Sequence, residues 1–322
     1  GGMRSALPAL LLLATTAILS CRACGVTTHN LVAHRAAQHY FQPTPGSPAR
    51  YPGILARHPG SLSAGAAFPD FLFLCGGNGS AGEFAHWVPF QASAAEYVRT
   101  LPRPWSTDVE KLVAFLFGIV SHYVADVAWH GLGPVPFGAG LIEVLGAQDF
   151  GCWGNLHDCH TAHDAADIGG EFYAAAHTDL HWPRASEWEV PTDHLVNIFR
   201  LSDVKVTHRS IEECSGFFHT LYSLTRIFGA AVFEILSARA PAEGPCVGTA
   251  EMLTEICLDY NVGGVDDMAA WSTWMWHRFG SWLDHGVPPG PLPNASLPSP
   301  SHPRGERGDS AAWSLAPGMR ER

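Results

Sequence analysis

Between residues 24 and 285 apolar side chains recur at helical spacing, in segments divided by Pro-, Gly- and Asn-bearing stretches, and few runs alternate as strands do. The pattern predicts an all-α domain. Helices are expected over 28–41, 90–99, 161–177, 210–238, 249–260 and 265–284, with a longer one through STDVEKLVAFLFGIVSHYVADVAWH. In that last helix Thr107 and Glu110 stand at capping-box spacing, and Asp108 and Glu110 suit the positive end of the helix dipole. Gly131 and Pro134 should stop it. The stretches QPTPGSPARYPG and LCGGNGSAGEF read as loops between the early helices. From about residue 286 the chain turns to Pro, Gly, Ser and charge, a composition that cannot bury enough apolar surface to order itself, so 286–322 is expected to be a disordered tail.

At the other end, Met3 and Arg4 precede ALPALLLLATTAILS, a run too short and wrongly flanked for a spanning helix and typical of a secretory leader. Cleavage after Ala23, with Cys21 and Ala23 as the small residues at the cut, would leave Cys24 first and give a mature domain over 24–285. Two residues, Gly1 and Gly2, stand before Met3 without explanation. No later run is expected to be long and apolar enough to cross a bilayer. Export would permit disulfides, and glycosylation at Asn78 and Asn294. Seven cysteines would remain, an odd number that leaves at least one outside any internal pairing, and the pairing itself stays open.

Chemistry concentrates on GIVSHYVADVAWHGLG, where His122, Asp126 and His130 interrupt an apolar run. At about 100° per residue these positions share one helical face. A single buried histidine is ordinarily a hydrogen-bonded core residue, but three polar groups in register need another account. Burying a carboxylate without a counter-charge costs several kcal/mol or more, and no Lys or Arg follows Lys111 in this stretch. A metal ion supplies that charge and explains the imidazoles. HDCHTAHDAADIGGEFYAAAH repeats the device, with Asp167 and Glu171 following His163 by four and eight residues; a solvated helix start is the plainer reading of these acids taken alone. His29, His34 and His39, spaced by five, spread around a helix, so at most one or two can serve a single site. Asp70 of FPD and His86 of HW are expected in loops, where site residues are common.

Composition narrows the choices. A net charge of −11 with 19 Lys and Arg argues against broad nucleic-acid binding. There is no nucleophile elbow, Walker loop, dinucleotide fingerprint or HKD-type phosphate site. Eighteen histidines are unusual for the length, and a cluster of His and Asp with few cysteines suits hydrolytic zinc with open coordination positions. The tryptophan-rich WSTWMWHRFGSW could dock on a membrane, but aromatics at helical spacing are more often core.

Taken together, CGVTTHNLVAHRA, FPD with HWVPF, DVEKLVAFLFGIVSHYVADVAWHGLG, AHDAADIGGEF and GGVDDMAAWST resemble the catalytic domain of the glycosylphosphatidylinositol (GPI)-specific phospholipase D family over about residues 24–285. That family is similar to the zinc-dependent phospholipase C and single-strand nuclease group, an all-helical fold with three zinc ions. The resemblance implies zinc ligands at Cys24, through its terminal amino and carbonyl groups, and at His29, Asp70, His86, His122, a bridging Asp126, His130, His163 and Asp167. It implies catalytic duty for Asp70, His122, Asp126, His130 and His163, a secreted enzyme, and GPI lipids and GPI-anchored proteins as partners at membrane surfaces. Cys24 stands where the wider group has Trp, the step from Asp126 to His130 is shorter than in bacterial phospholipases, and the β-propeller of full-length members has no counterpart here. Rival readings are a phospholipase C or nuclease of the same group, and a shortened form that binds GPI or membranes without turnover.

Overall fold

The computed structural model describes residues 25–43, 50–75, 78–129, 171–180, 188–239 and 264–289. Among them there are helices and no strands. We label the helices α1 (Val26–Arg35, continued by a π-helical turn, Ala36–Tyr40), α2 (Arg50–Arg57), α3 (Pro59–Leu74), α4 (Gly79–His86), α5 (Val88–Thr100), α6 (Thr107–Trp129), α7 (Thr192–Leu201), α8 (His208–Arg239) and α9 (Val265–His285). Residues 171–177 are also helical, the described part of the helix expected over 161–177. The expected helix over 249–260, the leader and the tail beyond 289 lie outside the described residues.

The centre of the bundle is α6. Every residue from Leu112 to Trp129 is buried, and a helix apolar all round is one that neighbours enclose. By length and composition α6 could cross a membrane, which corrects the expectation that no later run is long and apolar enough to do so; its apolar window is wholly enclosed by the bundle, and a core helix passes the same test. Its start also differs from the capping box expected at Thr107. The hydroxyl of Ser106 accepts the Val109 N–H at 3.4 Å, while Glu110 turns to Arg57 and His58, at 2.8 and 3.2 Å. One residue of register decides which side chain reaches the orphan N–H groups.

Three helices, α2, α3 and α4, lie where no helix was expected, and the start of α2, most of α4 and the FPD of α3 fall on stretches expected as loop. The reason is legible in α3, PGSLSAGAAFPDFLFL: Pro and Gly read as breakers, yet Pro59 sits in the first turn, where a missing N–H costs nothing, and Pro69 is accepted inside the helix. The small residues serve packing. A Cβ at Gly65 would fall 1.9 Å from the Phe115 carbonyl oxygen, and one at Gly118 2.3 Å from that of Leu62. The backbones of α3 and α6 therefore touch at a crossing only glycine permits on both sides. In α4, Asn78 caps the helix by accepting the Ala81 N–H, and its amide donates to the Lys205 carbonyl at 2.7 Å.

Helix α9 closes the opposite side of α6. Trp276 donates its indole N–H to the Phe117 carbonyl at 2.7 Å, and Trp271, Trp276 and Trp282 are buried, so the tryptophan-rich stretch is core, as its spacing suggested. A disulfide between Cys75 and Cys214 ties the end of α3 to α8, across 139 residues of sequence.

Candidate metal centre

Where α3 and α6 diverge from their glycine crossing, a polar cluster opens in the core. Four helices supply it: His29 from α1, Asp70 from α3, His86 from the end of α4, and His122 and Asp126 from α6. All five are buried. The helical placement of Asp70 and His86 corrects the expectation that both sit in loops.

Asp126 is the hub. Its Oδ1 lies 3.4 Å from His29 Nε2, and its Oδ2 lies 3.4 Å from His86 Nε2 and 3.3 Å from His122 Nε2. Asp70 Oδ1 completes the ring at 3.4 Å from His86 Nε2 and 3.9 Å from His122 Nε2. The His29 ring stacks on that of His122 with centroids 3.8 Å apart, and His86 meets His122 edge to face.

The outer nitrogens explain this orientation. His122 Nδ1 stands 2.7 Å from the Ala66 carbonyl oxygen and His86 Nδ1 stands 2.8 Å from that of Gly82. A carbonyl can only accept, so each imidazole donates from Nδ1 and, when neutral, presents the lone pair of Nε2 to the cluster. This is the tautomer a metal-binding histidine uses. The Ala66 carbonyl lies one residue beyond Gly65, so the close crossing of α3 and α6 brings it within reach of His122.

The inner atoms are left wanting. His122 Nε2 and Asp70 Oδ2 are buried without a hydrogen bond, a costly state for polar groups unless a ligand meets them. Two overlapping sets, His29–Asp70–His122 and His86–His122–Asp126, each bring their ligand atoms within 4.8 Å of one another. Burial alone would depress His86, but its hydrogen bond to Asp70 and the charges of Asp126 and Asp70 raise it to about 9, the mark of a site that draws a cation. Nitrogen and carboxylate donors in a buried cluster suit zinc. The residues present therefore fit the metal the histidine pattern implied.

Of the nine expected ligands, the structure brings these five together. Cys24, His130, His163 and Asp167 lie outside the described residues. His34 and His39, on the same stretch as His29, take no part in either set, in keeping with their spacing. Glu171, which follows His163 by eight residues, is buried against the start of α1: its carboxylate accepts the Thr27 N–H at 2.8 and 3.0 Å, and the Thr27 hydroxyl as well. Burial pushes Glu171 up to about 7, with the hydrogen bonds from Thr27 and Thr28 pulling against it. No motif announced the carbonyls of Ala66 and Gly82 as partners of the imidazoles; the glycines at 65 and 118 were the nearest available signal.

Comparison with known proteins agrees with this chemistry. The model for the family Zinc dependent phospholipase C matches residues 28–223, which include all five clustered side chains. Over 85% of its length the chain is 34% identical to the Phosphatidylinositol-glycan-specific phospholipase D of Dictyostelium discoideum and 34% identical to that of Homo sapiens. The Bos taurus protein of the same name is 33% identical over the same share. The chain spans only 27% of the Dictyostelium discoideum protein and 31% of each mammalian one. No solved structure matches it. On the match across most of the bundle, with the buried His and Asp cluster inside it, this chain belongs to the zinc-dependent phospholipase C family.

Proposed function

We propose that this chain is the catalytic unit of a secreted, zinc-dependent phosphodiesterase that hydrolyses the inositol phosphate linkage of GPI anchors in the phospholipase D manner, releasing phosphatidic acid and an inositol-glycan-bearing protein. The observation that carries the reading is the convergence of His29, Asp70, His86, His122 and Asp126, with two imidazoles fixed from behind so that Nε2 faces the cluster. The substrate and bond come from the relatives' names. The disulfide between Cys75 and Cys214 supports export, since such bonds persist in oxidising compartments. A leader over 1–23, a domain over 24–285 and a tail over 286–322 belong to the same proposal.

His29, Asp70, His86, His122 and Asp126 would hold zinc, with Cys24, His130, His163 and Asp167 completing a set of about three ions, the number the family resemblance implies. Zinc, when bound, supplies Lewis-acid charge to a phosphodiester and makes water acidic enough to attack near neutral pH. Asp126, which faces three imidazoles, sets the spacing of the centre. Asp70 has one carboxylate oxygen on His86 and the other without a hydrogen bond, so it can orient a water and accept its proton. The low-dielectric wall of α6 and α3 keeps these charges strong at the phosphate.

The test is metal analysis of the purified, signal-processed chain, followed by mass analysis of products from a GPI-anchored protein. Phosphatidic acid together with bound zinc is expected. Diacylglycerol would assign the chain to phospholipase C chemistry, the reaction in the family's own name, and full zinc occupancy without either product would make it a binding form.

A further inference from the structure

The start of α1 is held by a residue 144 positions away. Helix α1 has no side-chain cap of its own, since its N-cap is Gly25. The first N–H groups of a helix need acceptors, and a carboxylate there is favoured by the helix dipole. Glu171 meets that need: both its oxygens accept the Thr27 N–H, at 3.0 and 2.8 Å, and one takes the Thr27 hydroxyl. The seat is shaped for it. A Cβ on Gly25 would fall 2.0 Å from Glu171 Oε2 and 2.8 Å from Glu171 Cβ, so only glycine leaves room for the carboxylate.

His29 lies one turn further on, with its N–H on the Gly25 carbonyl at 3.2 Å, and its ring is stacked on His122 and directed at Asp126. Axial position and rotation of α1 decide whether His29 reaches that place. Nothing in the local sequence of α1 sets its start, whereas the Glu171 contact does. In sequence Glu171 also follows Asp167 by four residues and His163 by eight, so one side chain joins the strand of chain bearing His29 to the stretch bearing two more expected ligands.

We infer that Glu171 is a positioning residue of the zinc centre: seated on the first turn of α1, it holds His29 in register with Asp126 and His122 and does not itself bind metal. The inference rests on the zinc reading above and adds to it a residue that acts through the backbone.

The experiment uses the signal-processed chain as wild type, Glu171→Gln, Glu171→Ala, Gly25→Ala and the Gly25→Ala/Glu171→Ala double variant. Zinc content and chelator-competition affinity are measured first, then thermal unfolding in excess chelator. Glu171→Ala should weaken zinc binding by about 10- to 100-fold, the usual effect of losing a group that orients a ligand. Glu171→Gln, which still offers an acceptor oxygen, should recover most of that loss. Gly25→Ala should match Glu171→Ala, and the double variant should lose less than the two losses combined, because removing the carboxylate relieves the 2.0 Å contact and leaves only the 2.8 Å contact with the β-carbon at 171. Unchanged zinc affinity in Glu171→Ala would overturn the inference, as would additive losses in the double variant. Glu171→Gln as damaging as Glu171→Ala would overturn it in another way, by marking Glu171 as a ligand whose charge is required. A wild-type chain that binds no zinc is a separate result, which removes the zinc reading itself; the coupling of Gly25 to Glu171 in the chelated protein would then still report whether the seat exists.

Discussion

Asp126 and Glu171 are both buried acids that follow a histidine by a multiple of four residues, yet they do opposite work. Asp126 faces imidazoles from α1, α4 and α6 and gathers them around a shared charge. Glu171 faces backbone N–H groups and a hydroxyl, and fastens a helix. Spacing tells which residues share a helix face, and both stripes were legible in that sense. What each face meets depends on helices far away in sequence, so the same pattern yields the centre of an imidazole cluster in one place and a helix cap in the other.

The sharpest way to break this contrast is to remove charge from the hub. Asp126→Asn should abolish zinc retention and turnover together, with activity down by at least about 100-fold, because the carboxylate is the one group common to three histidines. Metal analysis alongside product assay checks it; full activity in the variant would dissolve the distinction between the two acids.

Next in size is the crossing that places the hub. Gly65→Ala or Gly118→Ala sets a methyl against backbone at 1.9 or 2.3 Å, which only separation of α3 from α6 can relieve. A loss of roughly 3 kcal/mol or more in denaturant unfolding is expected, at the upper end of overpacking costs. Zinc affinity should fall with it, since the Ala66 carbonyl would retreat from His122.

Glu171 offers a prediction of similar size with a pH signature. Its folded carboxyl sits near 7, above the ordinary 4.5, so the folded chain holds this proton more tightly than the unfolded one. That contribution is fully present below about pH 4.5 and is lost as pH rises through about 7. In zinc-free protein, wild type should therefore gain about 3 kcal/mol relative to Glu171→Gln on going from pH 7.5 to 4.5. Parallel stability curves for the two proteins would show that the carboxyl is not buried as described. The smallest effect belongs to the cap of α6: Ser106→Ala should cost about 1 kcal/mol in unfolding and leave zinc binding unchanged, whereas Thr107→Ala should cost less.

Much of the site was readable because it lies on one long helix. His122 and Asp126 were placed on one face by periodicity alone, and the buried carboxylate of Asp126 is surrounded by the imidazoles of His29, His86 and His122. Asp70 and His86 gain a ligand role only from the family resemblance, and both lie in helices where loops were expected, because proline and glycine carry the same local signature in a loop as in a helix packed tightly against another. Pro69 and Gly65 in α3 show why: local propensity is weak beside the burial that a close crossing provides.

By itself, then, the sequence determined the helical class, the apolar length of α6 and the shared face of His122 and Asp126, since these follow from the repeat of the α-helix. Only the tertiary structure decided that the Ala66 carbonyl would set the tautomer of His122 and that Glu171 would close on Thr27. Each of those outcomes depends on backbone groups and neighbours brought together by packing, and their distances are not encoded in any one segment's periodicity.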